Sequence, residues 1–214
     1  MRCPVRRHQV GRLRVLTVDT PPRLWLSDDS WWLSLYGDEP ALARLLAAWT
    51  LAARSPHSVL YLPIRRHRPP AGLPSDAGRA LDLVLVQHSV ALRPADWPVI
   101  RRRLGAGRPH TARVPEDEIP AESDVDWRVR RYRGFRDLLR FAIAADTLFV
   151  VGSRDGFRAE GVALRTLVDE PDRVYGNTHA CVDVMSGLWG RERADRSSPG
   201  RLHVELCTAW ADQG

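Results

Sequence analysis

The order of apolar and polar positions repeats along the chain. Residues 31–36 alternate and end in Gly37 and the polar Asp38, which is typical of a strand that runs into a capped helix. Apolar residues then recur at helical spacing, and two apolar stretches follow at residues 58–64 and 81–89. The pattern predicts a strand, a helix and two further strands in this order.

The same order occurs a second time, 115 positions later. An apolar stretch at residues 147–151 ends in Gly152, which this shift aligns with Gly37, and a polar residue and an amphipathic helix follow. Two further strands are predicted near residues 180–185 and 202–208. Because almost none of the aligned residues are identical, the two copies share a pattern rather than a sequence.

Each copy has one apolar helix stripe and strands with one apolar face, so neither copy can bury both faces alone. The sequence predicts an α+β fold in which two similar strand-strand-helix-strand-strand halves form one pseudo-symmetric domain. The first half spans residues 1–114, an acidic segment bounded by prolines spans residues 115–126, and the second half spans residues 127–214. Chance recurrence of a common α+β order is the alternative to a duplication.

Other elements follow from local signals. Trp49 lies on the apolar stripe of the first helix, which predicts that it is buried. An apolar stretch at residues 138–144 predicts a strand, with a helix as the alternative. The remaining predictions are a hairpin of residues 23–26 and 31–36, a central strand at residues 81–86, a short helix at residues 96–104 and a strand at residues 110–114.

Composition limits the class of protein. Hydrophobic residues make up 44% of the 214 positions, which indicates a folded chain rather than a disordered one. No apolar run approaches the roughly 18 residues that span a bilayer, and no apolar stretch follows the basic N-terminal residues as a signal peptide would require. Three scattered cysteines are too few for a disulfide framework. These features predict a cytoplasmic protein without a membrane partner.

Charge is segregated along the chain. The net charge is +6 and all 32 Lys+Arg residues are arginine, a bias that codon usage in a GC-rich genome also explains. An acidic stretch occupies residues 116–126, and segregation of this kind creates a local electrostatic field. The arginines form three groups: Arg2, Arg6, Arg7, Arg12 and Arg14; Arg101, Arg102, Arg103, Arg108 and Arg113; and Arg128, Arg130, Arg131, Arg133 and Arg136.

Histidine and cysteine residues alternate in two of the predicted strands. His179 and Cys181 share one strand face, and His203, Glu205 and Cys207 share another, because residues two apart point to the same side. Paired in register, the two imidazoles and two thiols match the donor set of a tetrahedral zinc site. The spacing is not that of a zinc knuckle, and free cysteines are common in protein cores. We therefore predict core residues here, with no metal and no other cofactor.

Two further positions are candidates for chemistry. Arg154 follows the turn after Gly152, where the N–H groups of a helix start attract anions, but the turn lacks the glycine pattern of a phosphate-binding loop. His88 is the one catalytic candidate, because it follows the apolar strand at residues 81–86 and strand ends contribute to active sites. With no nucleophile-elbow motif in the chain, the sequence favours binding over catalysis.

The arginine/aromatic segment, residues 127–136, carries the clearest functional signal. Arg128, Arg130 and Arg133 are interleaved with aromatic residues such as Tyr132, and this combination neutralises phosphates and stacks on bases in single-strand binders. The alternative is an arginine-rich edge strand whose charges prevent unwanted strand pairing. The neighbouring acids at residues 116–126 favour this alternative, because they can neutralise the arginines locally.

These observations together predict a non-catalytic cytoplasmic binding module whose partner is a protein. Nucleic-acid binding through the arginine/aromatic segment is the second interpretation. An enzyme with a pocket between the two halves is the third, since small-molecule sites commonly lie at such seams. The oligomeric state and the identity of the partner stay open.

Overall fold

A computed structural model describes residues 1–29, 32–73, 78–132, 134–174, 180–186 and 200–210. The α-helices in this part are α1 (Glu39–Arg54), α2 (Trp97–Arg102), α3 (Trp127–Arg131) and α4 (Arg154–Asp169). The strands are β1 (Arg2–Val10), β2 (Leu13–Val18), β3 (Leu24–Asp28), β4 (Leu33–Gly37), β5 (Ser58–Leu62), β6 (Arg79–Ala80), β7 (Asp82–Gln87), β8 (Arg108–Arg113), β9 (Arg140–Ala144), β10 (Thr147–Gly152), β11 (Ala180–Met185) and β12 (Arg201–Leu206).

The strands form two sheets with a helix pair between them. The larger sheet has the order β8-β1-β2-β5-β7-β10-β9, and the smaller sheet has the order β11-β12-β4-β3-β6. Helices α1 and α4 pack on each other, and their apolar side chains join those of both sheets in one core. Helix α2 covers the opposite face of the larger sheet, where the ring of Trp97 meets the rings of Tyr61 and Phe149 edge-on. The chain is therefore an α+β protein.

Helix α1 begins where the sequence predicts. The Asp38 side chain accepts a hydrogen bond from the N–H of Ala41 at 3.0 Å, which satisfies a donor of the first turn. Because α1 lies between the sheets, eleven of its sixteen residues are buried. Trp49 is fully buried, and its Nε1 donates to the carbonyl oxygen of Phe157 at 2.7 Å. The predicted burial of Trp49 is confirmed.

The two sheets contain the same sequence of strand pairings. In the larger sheet β5 is antiparallel to β7, β7 is parallel to β10, and β10 is antiparallel to β9. In the smaller sheet β11 is antiparallel to β12, β12 is parallel to β4, and β4 is antiparallel to β3. Each half of the chain thus places a hairpin in one sheet and two later strands in the other. That the halves arose by duplication stays a prediction.

Most predicted elements are present. The hairpin is β3–β4, the buried central strand is β7, the short helix is α2, and the strand near residue 110 is β8. Of the two alternatives for residues 138–144, the strand is correct and forms β9. Ala145 and Asp146 both have positive φ, which matches the tight hairpin turn between β9 and β10.

Two segments differ from the sequence-based expectation. The pattern does not identify β1 as a strand, although Cys3 and Val5 point into the core. Residues 127–131 form helix α3 rather than an edge strand. The helix forms because the Asp126 side chain accepts hydrogen bonds from the two N–H groups of Arg128 and Val129, both at 3.0 Å.

Among the described residues, no helix has the length and apolar character needed to cross a membrane.

Candidate functional site

The pairing of β1 with β8 brings two of the three arginine groups together. Both strands lie at one edge of the larger sheet, with β8 outermost. Arg2 lies opposite Arg113, and Arg7 lies opposite Arg108. We name the set formed by these four residues and Arg6 the arginine edge. The sequence does not reveal this site, because its two strands are about a hundred residues apart in the chain.

The arginine edge presents charge on both faces of the sheet. Successive strand residues alternate between faces, and Val5 points toward the helix pair while His8 pairs with Val15 on the face that α2 covers. Arg7 therefore lies on the same side as the helix pair, with Arg108 as its cross-strand neighbour. Arg6 and Arg113 lie on the other side, and Arg2, at the start of β1, lines a cleft beside α1 and α4. All five side chains are exposed.

Within the described residues, no carboxylate forms an ion pair with an arginine of the arginine edge. Asp19, whose backbone N–H bonds to the carbonyl of Pro4, forms no ion pair with the five arginines. Glu116 instead pairs with the amino group of Met1 at 3.2 Å. Like charges that face each other across two strands destabilise a sheet by a few tenths of a kcal/mol to about 1 kcal/mol. Two such pairs, Arg2 with Arg113 and Arg7 with Arg108, raise the free energy of the unbound protein.

The backbone beside the arginine edge is held in place by local contacts. The Arg6 guanidinium donates to the carbonyl of Ala106 at 3.3 Å, and Gly107 has a positive φ and lies so close to the His8 ring that no Cβ would fit. Thr17 Oγ1 lies 3.1 Å from His8 Nε2. Burial, followed by the charge of Arg6, lowers the pKa of His8. His8 is therefore held toward its neutral form and adds little to the positive charge of the edge.

The arginine/aromatic segment has a different environment. The side chain of Arg130 is only 10% exposed, and its Nη2 lies 3.8 Å from Oε1 of the buried Glu160. Its guanidinium also lies 5.1 Å from the ring centre of Phe135. Of the other predicted contacts, Arg128 and Tyr132 are exposed, and Arg133 lies outside the described residues. The guanidinium of Arg130 therefore contacts side chains of its own chain and is largely shielded from solvent.

Glu160 is the carboxylate that neutralises Arg130. Its Oε2 accepts a hydrogen bond from the N–H of Met185 at 3.0 Å. Burial raises the pKa of Glu160, and the bond from Met185 and the charge of Arg130 oppose this effect. The ion pair of Arg130 with Glu160 connects α3 to α4, and the hydrogen bond from Met185 connects the end of β11 to α4.

A second carboxylate, Glu118 in the acidic segment, binds arginines of both central helices. Its side chain is 3% exposed, and it accepts hydrogen bonds from Arg54 at 3.0 Å and from Arg154 at 2.8 and 3.0 Å. Burial alone would raise the pKa of Glu118, but the bonds from Arg154 and then Arg54 outweigh it and hold this pKa below its usual range. Arg154, a candidate for anion binding from its place at a helix start, thus binds a carboxylate of its own chain.

Arg101 of the second arginine group is neutralised in a similar way. Its Nη1 lies 3.2 Å from Oδ2 of Asp82, which is almost fully buried. Arg65 also approaches Asp82, and Tyr61 donates its hydroxyl to the same carboxylate at 2.9 Å. Burial, followed by the charge of Asp82, raises the pKa of Tyr61. Sequence reasoning missed this cluster, although an Asp at the start of an apolar central strand is a usable signal.

The metal candidates lie in the smaller sheet. Cys181 is the cross-strand neighbour of Glu205, and His203 is the neighbour of Asp183, whose Oδ1 lies 2.9 Å from His203 Nδ1. Cys207 donates its thiol to the carbonyl of Ala209 at 3.3 Å. His179 lies outside the described residues, and in the part of the chain that is described no three His, Cys, Asp or Glu side chains are grouped as metal ligands.

The features relevant to catalysis are separate from one another. His88 is exposed and begins a short 3₁₀ turn after β7. A cleft of about 470 Å³ lies between the first turns of α1 and the last turn of α4. The two carboxylates at this cleft are engaged, Glu116 with the amino group of Met1 and Asp169 with Arg165. His88 does not line the cleft.

Comparisons with other proteins give no match. The sequence matches no family model, and searches of curated proteins and of solved structures return no significant similarity. The function must therefore be inferred from the residues of this chain.

Proposed function

We propose that the protein is a non-catalytic binding module and that the arginine edge binds an acidic segment of a protein partner. The observation that carries the proposal is the double juxtaposition of like charges, Arg2 with Arg113 and Arg7 with Arg108, with no ion pair to a carboxylate for any of the four within the described residues. A partner that carries negative charge relieves this repulsion when it binds. The free energy gained is then larger at this edge than at an ion-paired surface.

Protection of a sheet edge is the simpler explanation for charge on an outermost strand. It accounts for Arg108 and Arg113 on β8 and for Pro109 between them. It does not account for Arg2, Arg6 and Arg7, because β1 is paired on both sides and has no free edge. The charge extends over two strands, which supports a binding surface.

A protein partner is favoured over nucleic acid for two reasons. Binders of single strands add aromatic side chains on which bases stack, and the large exposed apolar side chains of the described residues, Trp32, Val99, Val129 and Tyr132, do not belong to β1 or β8. The arginines also lie on both sheet faces, which suits an extended chain with alternating side chains.

A cytoplasmic location is part of the proposal. The three cysteines are free thiols, which supports a reducing compartment.

The experiment measures binding of two labelled probes of equal negative charge, a peptide of ten glutamates and a single-stranded oligonucleotide. We expect the wild-type protein to bind the peptide, with affinity that falls as salt rises. Replacing Arg7→Gln and Arg108→Gln together weakens this binding about tenfold. The matched control replaces Arg66→Gln and Arg93→Gln, which removes the same charge from exposed positions outside both candidate sites.

Three results would contradict the proposal. The first is equal weakening by the edge and control variants, which would indicate a response to net charge only. The second is binding of the oligonucleotide without binding of the peptide, which would make nucleic acid the partner. The third is the absence of binding by either probe.

A further inference from the structure

The hydrogen-bond phase of β8 follows from its last pair. The amino group of Met1 donates to the carbonyl of Val114 at 2.9 Å, and the N–H of Val114 donates to the carbonyl of Met1 at 3.1 Å. This exchange marks a hydrogen-bonded pair, and in an antiparallel ladder such pairs recur at every second residue. Ala112, His110 and Arg108 therefore direct their backbone groups toward β1.

The residues between them direct their backbone groups away from the sheet. Thr111 and Arg113 each present an N–H and a carbonyl at the outer side of β8. Pro109 presents only a carbonyl, because proline has no N–H. In the described part of the chain, no hydrogen bond from another segment reaches these groups. The backbone groups available to a further strand therefore cover only a short stretch of β8, which ends at Pro109.

From this phase and the charges beside it, we propose that the acidic partner segment adds to β8 as a further strand. The proposal rests on the proposed function and specifies how the partner is bound. The segment bonds to the backbone of Thr111 and Arg113, and its carboxylates lie opposite Arg113 on one face and Arg108 on the other. Addition of a strand to a sheet edge is a common mode of peptide recognition, in which backbone bonds give affinity and alternate side chains give specificity.

The geometry fixes the spacing of the acidic residues in the partner. Arg113 and Arg108 are five positions apart, and an odd separation places them on opposite faces. At about 3.4 Å per residue their Cα atoms are about 17 Å apart. A partner strand in register therefore needs acidic residues at its first and sixth positions. A strand with acidic residues at the first and fifth positions places both on one face and meets only one of the two arginines.

The first test uses matched peptides of threonine and valine with two glutamates at spacing five or spacing four. We expect the spacing-five peptide to bind at least tenfold more tightly. A copy with N-methyl groups on the amides that face β8 keeps its charge and loses the backbone bonds, so its affinity falls about tenfold. Equal affinity of the methylated and unmethylated peptides would overturn strand addition.

The second test measures amide hydrogen exchange residue by residue in the presence of the spacing-five peptide. Exchange at Thr111 and Arg113 should slow at least tenfold, while Ala112, which is bonded to β1, should change little. Thr111→Pro removes one outward N–H without removing a bond to β1. It should weaken binding of the peptide more than Thr111→Ala does. Peptide binding without protection would refute strand addition and leave the proposed function standing. If neither this peptide nor polyglutamate binds, the proposed function itself fails.

Discussion

Two arginine-rich regions of this chain have opposite electrostatic environments. At the arginine edge, five guanidinium groups lie on adjacent strands and have no carboxylate partner within the described residues. Around Glu118 and Glu160, a second set of arginines is held by buried carboxylates, and we call these the clamped arginines: Arg54, Arg130, Arg154 and Arg158. The two regions share one residue type and differ in what faces it.

The difference shows that local density of arginine is a poor guide to an anion-binding surface. The arginine/aromatic segment has five arginines in ten residues, yet the side chain of Arg130 from its centre is 10% exposed and lies beside Glu160. The arginine edge is assembled from two separate segments, and no window of the sequence contains it. What decides the outcome is whether tertiary pairing brings a carboxylate or another arginine to face each guanidinium.

The largest effect is expected from Arg130. Arg130→Ala leaves the carboxylate of Glu160 buried without its counter-charge, which typically costs about 3 to 5 kcal/mol of unfolding free energy. The pKa of Glu160, already raised by burial, should rise further. Urea denaturation at pH 7 measures the loss, and Arg128→Ala on the exposed side of α3 serves as the control, with a change within about 0.5 kcal/mol. Similar losses for the two variants would mean that Arg130 is not clamped.

A smaller, pH-dependent effect is expected from Glu118. Glu118→Gln keeps the shape and removes the charge that binds Arg54 and Arg154, so we expect a loss of about 2 kcal/mol at pH 7. The folded-state pKa of Glu118 is depressed, so this contribution is present above the unfolded-state pKa of about 4.3 and is lost as pH falls through the lower folded-state value.

Thermal unfolding of both proteins between pH 7 and pH 2 checks this behaviour. The gap in stability between the wild type and Glu118→Gln should be constant above about pH 5 and should close in strong acid. A gap that persists unchanged at pH 2 would show that the carboxylate charge is not what stabilises the segment.

The smallest effect, and the one of opposite sign, is expected at the arginine edge. A double-mutant cycle with Arg7→Gln and Arg108→Gln should reveal a repulsive coupling of about 0.5 kcal/mol at low salt, which 1 M salt should abolish. Each single substitution should leave stability unchanged or slightly higher. An attractive coupling would mean that the two guanidinium groups are bridged by an anion or stacked, and the contrast between the two regions would be lost.

The sequence was sufficient for elements whose signals are local. Asp38 and Ser153 cap the two central helices as predicted, with Ser153 accepting from the N–H of Gly156 at 2.9 Å. The apolar stretch at residues 81–86 predicted a buried strand, and β7 is buried throughout. In these cases the signal lies in a few consecutive residues, a capping side chain or an apolar run.

The candidate site was not predictable in the same way. Strand β1 has only Cys3 and Val5 as an alternating apolar signal before the run Arg6-Arg7-His8, and its identity as a strand depends on pairing with β2 and β8. The sequence favours an edge strand where the structure has α3, because five residues of mixed arginine and apolar character have no clear period. The clamping of Arg130 depends on Glu160, thirty residues away.

The exchange of strands between the two sheets has a topological consequence. Residues 1–114 place β3 and β4 in the smaller sheet and β5 and β7 in the larger sheet, and the second half does the reverse. Within the described residues each sheet contains strands from both halves, so the two halves are interlocked. The parallel contacts of β7 with β10 and of β12 with β4 close only when both halves have been synthesised. The acidic segment, with Glu118 bound to an arginine of each central helix, lies where the two interlocked halves are joined.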